Sequence, residues 1–226
     1  MNDPEPLTPV QHEGAARVLA DAFLDDPGWV SVGPKRPGKR WKYIYRTCLA
    51  AIRVGERWCG PSWCVTEDGE PVAVLTGCAP GIWPPPELRT LLRLSPGPIL
   101  AGPAVLARSL RAELTFEKAH PKYDHFLVWM FAVSPAKQRS GLGRRLMREA
   151  LARADAAEVP AYLWTANPDN LPYYRSHGYE VIGETTIPGG ASTWYMERPV
   201  PPLTNRDIES AGARGIRHPH DRAAER

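Results

Sequence analysis

The stretch that most restricts how this chain can fold is His125–Val133, HFLVWMFAV. It is apolar on both faces, so as a strand it must be covered on two sides by other layers. A loop, SPAKQRSGLG, follows, and then a segment with helical spacing in which Leu142, Leu146, Ala150, Leu151 and Ala154 share one face. Ala161–Ala166, AYLWTA, reads as a second strand. Strand, helix and strand in this order predict a parallel pair joined by a right-handed crossover. The expected class is therefore α+β with three layers, a sheet between helices.

The first half supplies the other helices and strands. Thr8 reads as a helix cap, with Pro9 in the first turn and Gln11 three residues after the cap. Ala15, Val18, Leu19, Ala22 and Phe23 continue one apolar stripe, and Trp41, Ile44, Tyr45, Cys48, Leu49 and Ile52 make another. WCVTEDGEPVAVLTG predicts a hairpin turning at Asp68-Gly69. From Trp83 the chain reads as helical but broken by prolines, and a longer helix is expected over 103–119. Leu171–His177 predicts a short helix ending at Gly178, and two last strands flank Pro188-Gly189-Gly190.

The 226 residues are enough for one domain, expected over 1–198, followed by a tail, 199–226, too poor in large apolar residues to fold. The net charge of +3 is too small to argue for nucleic acid or membrane. No apolar run is long enough for a membrane span, and the acidic start does not read as a signal peptide. Cys48, Cys59, Cys64 and Cys78 form no C-x-x-C pair and have no histidine at zinc spacing. They read as reduced, buried thiols, the expected compartment is cytoplasmic, and no metal is expected.

The loop before the second helix carries the chemistry. The first amides of a helix have no helical partner, and the helix dipole is positive there. Gly141 and Gly143 allow a ligand to approach the backbone. Arg139, Arg144, Arg145 and Arg148 crowd the same positive end, a conflict that a bound polyanion removes. Together these features point to a phosphate. The bland alternative is a glycine turn with solvated arginines. A nucleotide-hydrolase loop is excluded because no lysine follows Gly143, and the dinucleotide fingerprint lacks its third glycine.

What remains is Q-x-x-G-x-G, Gln138 to Gly143, which resembles the acetyl-CoA pyrophosphate loop of the GNAT acetyltransferases. TANPDNLPYYRSHGYEV resembles the second signature of that superfamily at Asn167, Asn170, Tyr174, Gly178 and Tyr179. AFLDDP, EDGEPVAVLTG and GGASTWYMER are similar to the branch that includes puromycin N-acetyltransferase, with a loose fit between Gly81 and His120. The resemblance implies a mixed, mostly antiparallel sheet with a splayed parallel strand pair at its centre, flanked by helices. It implies acetyl-CoA as cosubstrate, held by Phe131, Ala132, Val133, Gln138, Arg139, Ser140, Gly141, Leu142, Gly143, Arg144, Asn167 and Asn170. It also implies that Tyr174 protonates the departing thiolate, a proton that a phenol can supply.

One departure concerns the acceptor. Trp164 stands where such relatives usually have Glu, and the bulky Trp129 lies in the neighbouring strand. Two indoles there line an aromatic pocket or are core residues; Asp26 is the third residue assigned to the acceptor side. For the base, Glu113, Glu117, His120, Asp124, His125 and Asp26 are candidates and none stands out; a base acting through water is a further option. No cysteine lies near the motifs, so the expected route is direct attack in a ternary complex. The expected acceptor is the amine of a small molecule, an antibiotic or metabolite. A non-catalytic acyl-CoA sensor and a protein or peptide N-acetyltransferase are the alternatives. Nucleic acid is not expected as a partner because the aromatics are not interleaved with the arginines; monomer and homodimer both remain open.

Overall fold

The computed structural model describes residues 3–60, 62–82 and 96–201. Seven strands form one sheet in the order β1-β2-β3-β4-β5-β7-β6. They are β1 (Glu5–Pro6), β2 (Trp63–Glu67), β3 (Glu70–Cys78), β4 (Phe126–Val133), β5 (Ala161–Thr165), β6 (Glu180–Thr186) and β7 (Ser192–Arg198). Neighbours are antiparallel except β4 and β5, the expected parallel pair. The helices are α1 (His12–Ala22), α2 (Pro27–Val32), α3 (Pro37–Trp58), α4 (Pro96–Ala101), α5 (Pro103–Ala119), α6 (Leu142–Ala156) and α7 (Leu171–Arg175). The mixed sheet flanked by helices is the arrangement expected from the sequence.

Each face of the sheet has its own core. On one face Leu142, Leu146, Met147, Ala150 and Leu151 of α6 pack on Val65, Ala73, Leu75 and Phe126. On the other, Ala15, Ala16 and Leu19 of α1 and Ile44, Cys48 and Ile52 of α3 pack on Cys64, Val74, Met130 and Ala132. Fully burying a side chain of leucine size contributes about 1.5–3 kcal/mol, so two such layers fix the sheet between its helices.

β4 changes face partway along. Thr76 pairs with Met130 but Gly77 with Val128, so Trp129 is the extra residue of a β-bulge. Before it, Phe126 and Val128 point to the α6 side. After it Phe131 and Val133 do so, while Met130 and Ala132 point to the α1–α3 side. Without the bulge, Phe131 and Val133 would face the opposite core. The Thr76 side chain supports the irregularity, accepting a hydrogen bond from the Met130 amide at 3.1 Å.

β4 and β5 part soon after they meet. Their pairing covers only Phe126 with Ala161 and Leu127 with Tyr162, although β4 runs on to Val133 and β5 to Thr165. The strands splay, and β4 beyond Leu127 keeps a ladder only with β3. This opens a slot in the middle of the sheet with backbone hydrogen-bonding groups on its wall.

Two expectations change. Cys59 at the end of α3 and Cys78 at the end of β3 form a disulfide, so these two are not reduced thiols; Cys48 and Cys64 are free and buried. Their spacing carried no sign of this, because sheet and helix bring together ends that lie 19 residues apart. The short edge strand β1 was also not legible in the sequence. The proline-broken stretch from Trp83 and the tail from 202 lie outside the described residues, while α4 continues from the first of these.

Candidate active site

The glycine loop sits where β4 hands over to α6, as the sequence requires. Gly141 caps α6 in the left-handed region at φ 86°, and Arg139 is left-handed too at φ 62°. The helical ladder begins with the Arg145 amide bonding to the Gly141 carbonyl at 3.2 Å, so the amides of 142–144 precede it and have no helical acceptor. The two glycines have different reasons. A Cβ on Gly141 would meet no protein atom, so its demand is conformational and its exposed side is open to a ligand. A Cβ on Gly143 would stand 3.0 Å from the Phe131 ring and 3.2 Å from the Tyr173 hydroxyl, so this glycine lets α6 approach β4.

The loop fits a pyrophosphate. Gln138, Arg139, Ser140, Gly141 and Arg144 are exposed around the free amides. Gln138 Nε2 donates to the Val133 carbonyl and Ser140 Oγ to the Lys137 carbonyl at 2.5 Å, which shapes the turn. Leu142 and Ala132 are buried in the two cores, so only their backbone can serve a ligand. Phe131 and Val133 lie along the splayed part of β4. Not every arginine is available: Arg145 pairs with Asp3.

The second signature forms the turn after β5. The Asn167 side chain is used locally, accepting the Asp169 amide at 3.0 Å as the cap of a 3-10 turn. Asn170 donates to Thr165 Oγ1 at 3.4 Å and reaches the cavity described below. Tyr174 is buried on α7. Burial pushes its phenol well above the ordinary value, and Tyr173 and Asp26 push the same way, so Tyr174 stays protonated at neutral pH. Tyr173, not singled out in the sequence, stacks on Phe131 at 5.7 Å beside Gly143.

A cavity of about 240 Å³ opens from the slot toward α2, α3 and α5. Asp26, Trp129, Trp164, Phe131, Asn170 and Tyr174 all line it. The structure thus brings the residues assigned to the acceptor side together with Tyr174. Both indoles also pack against the cluster around Leu127, Tyr162 and Tyr195, so they are wall and core at once. Asp26 caps α2, accepting the Gly28 amide at 2.9 Å and the Trp29 amide at 3.3 Å. Burial raises its carboxyl above the usual range against the pull of those two amides.

Of the base candidates, only Asp26 and Glu113 line the cavity. His120 and His125 stand in a separate buried aromatic group, their rings 4.7 Å apart and 5.2 and 5.4 Å from Tyr162. Burial pushes His120 down to about 3 and also lowers His125, which keeps both neutral. Glu117 and Asp124 are not on the cavity wall.

The far wall was not foreseen. Trp29 from α2, Tyr43 from α3 and Phe116 from α5 line it, and Phe116 stacks on Trp164 at 5.2 Å. Nothing in the sequence singled these residues out. The turn between β6 and β7 closes this side: Ser31 Oγ donates to the Pro188 carbonyl at 2.5 Å, and Ile187 packs with Val32 and Ala112. Gly189 allows the contact, since a Cβ there would lie 2.3 Å from the Ser31 carbonyl oxygen. Among the described residues no group of side chains is arranged to hold a metal, and no helix is long and apolar enough to cross a membrane.

Comparison with known proteins agrees with this geometry. Residues 108–181 match the model of the acetyltransferase (GNAT) domain. Among solved structures, one described as histone acetyltransferase HPA2 and related acetyltransferase from Corynebacterium glutamicum superposes with a TM-score of 0.64 at 20% identity, covering 89% of this chain and 98% of that one. Ard1 from Thermoplasma volcanium gives 0.54 at 15% identity, covering 88% and 97%. A GCN5-related N-acetyltransferase from Rhodopseudomonas palustris gives 0.51 at 13%, covering 88% and 98%. Identities this low establish a shared fold and leave the acceptor open. The splayed parallel pair and the glycine loop at the start of α6 lie within the stretch that matches the GNAT acetyltransferase domain, and the chain shares the fold of these acetyltransferases.

Proposed function

We propose that the protein moves the acetyl group of acetyl-CoA to the amine of a small molecule by direct attack in a ternary complex, with 1–198 as the catalytic domain and the cytoplasm as its compartment. The observation that carries this reading is that Tyr174, a phenol kept protonated by burial, lines one cavity with the Asp26 carboxylate beside the open end of the β4–β5 slot.

When bound, the donor supplies an activated thioester carbonyl and a thiolate leaving group. The amides of 142–144 and the exposed Arg139 and Arg144 would hold its pyrophosphate, and the splayed backbone of β4 its pantetheine arm. Asp26 attracts the protonated amine, and Asp26 or Glu113, directly or through water, takes its proton. As nitrogen bonds to the acyl carbon and the carbon–sulfur bond breaks, Tyr174 gives its proton to the sulfur. The covered walls restrict the path and keep water from the charged groups.

The closed side favours a small acceptor. The β6–β7 turn clasped onto α2 by Ser31 and Pro188 narrows that side for an extended peptide. The test is CoA release with a broad amine panel, with mass spectrometry of the products. Acetylation of small amines is the expected result. Acetylation confined to peptide N-termini would replace the small-molecule reading, and acetyl-CoA binding with no turnover would favour a sensor.

A further inference from the structure

The cavity wall is unusual in what it contains. Among the described residues, eight of the 26 that line it are aromatic, against 9% aromatic in the whole chain. The charged ones among them are two carboxylates, Asp26 and Glu113. Arg108, a nearby cation on α5, is held by the carbonyls of Val32 at 2.9 Å and Gly33 at 3.1 Å. Trp164 offers a flat face that stacks on Phe116 and continues the aromatic surface.

We infer that the acceptor is an apolar, cationic amine, flat or aromatic next to its nitrogen and carrying no acidic group. The argument rests on the acetyltransferase reading above and narrows it. An ammonium entering the cavity meets carboxylate at Asp26 and aromatic faces around it, and both attract a cation. An apolar body replaces water on the walls at a gain proportional to the area covered. A carboxylate or phosphate on the acceptor would be desolvated beside the Asp26 carboxylate, which is a strong rejection. Free amino acids, acidic peptides and phosphorylated amines are thereby turned away. Polyhydroxylated amines are disfavoured too, because the aromatic wall offers their hydroxyls few partners.

The experiment compares matched acceptors by kcat/KM at saturating acetyl-CoA. 2-Phenylethylamine and phenylalanine differ only in the carboxylate, and 2-phenylethylamine and ethanolamine in the aromatic body. The expected order places 2-phenylethylamine at least a hundredfold above phenylalanine and at least tenfold above ethanolamine. Asp26→Asn keeps an oxygen to cap α2 but loses the charge. It should raise KM for 2-phenylethylamine about tenfold or more and shrink its advantage over phenylalanine, which a purely structural Asp26 would not do. If phenylalanine or ethanolamine is used as well as 2-phenylethylamine, or if Asp26→Asn leaves the ratio intact, the inference is overturned and the acetyltransferase reading stands. If no amine of any class is acetylated, that reading falls and takes the inference with it.

Discussion

The two ends of the site are built by different means. The proposed donor end centres on one contiguous loop, 138–144, and would work through its backbone: amides at a helix start, a left-handed glycine and a second glycine for close packing. The acceptor end gathers Asp26 and Trp29 near α2, Tyr43 from α3, Phe116 from α5, both indoles of the central strands and Ile187 before the last turn. It works through side chains from distant parts of the chain. A site encoded in backbone geometry tolerates change around it only if its glycines stay. A site encoded in side chains can be re-specified one residue at a time.

Tyr174 stands where the two ends meet, and changing it should give the largest effect. Tyr174→Phe keeps the ring and removes the proton, so kcat should fall by about 10²-fold or more with KM for acetyl-CoA hardly moved. Wild-type kcat under conditions where chemistry is rate-limiting would remove Tyr174 from the reaction. The donor end comes next. Gly141→Val forces a branched residue into the left-handed region and sets methyls on the open side of the loop. Acetyl-CoA affinity should drop more than tenfold, about 1.4 kcal/mol, and calorimetry on folded variant showing no change would refute the phosphate cradle. Trp164→Ala should act at the other end alone. KM for the best amine should rise roughly fivefold, about 1 kcal/mol for a lost aromatic face, with acetyl-CoA affinity constant. A parallel loss of acetyl-CoA affinity would show that the two ends are not separable.

The last prediction concerns stability in acid. His120 ends the helix that carries Phe116, and its ring lies 6.5 Å from that of Trp164. Burial holds its pKa down to about 3, with His125 and Lys122 acting in the same direction. An unfolded histidine titrates near 6.5, so between these values the unfolded chain binds the extra proton. Stability is therefore full above about pH 6.5 and declines as pH falls toward 3, by at most about 1.4 kcal/mol per pH unit for this one group. In urea unfolding followed across that range, His120→Gln should flatten the decline. An unchanged slope would assign it to other groups.

How much could be read in advance follows the same division. The β4–α6–β5 unit was legible because its periods change from strand to helix at Gly141 and its core positions keep helical spacing. Tyr174 and the loop were legible because their signatures are local. The bulge at Trp129 was not, since FLVWMFAV contains no glycine or proline to mark it and only pairing with Thr76 and Gly77 reveals the extra residue. The Cys59–Cys78 bond and the roles of Trp29, Tyr43 and Phe116 depend on long-range packing, which leaves no mark on local spacing. The base candidates could be narrowed only in three dimensions, where His120 and His125 proved to belong to a different cluster.

The contact between Ser31 and Pro188 joins parts of the chain that are made at different times. Its two residues are 157 positions apart, and β7, which follows the turn, lies between β5 and β6 in the sheet. A chain emerging from the ribosome has its glycine loop and α6 complete while this wall is still unmade. Domains are synthesised from the N-terminus, so the donor end can take shape on a nascent chain that has no enclosed acceptor chamber. On the proposed reading, the wall that closes the acceptor chamber is thus among the last parts of the domain to be synthesised, and a chain cut short before the β6–β7 turn would lack it.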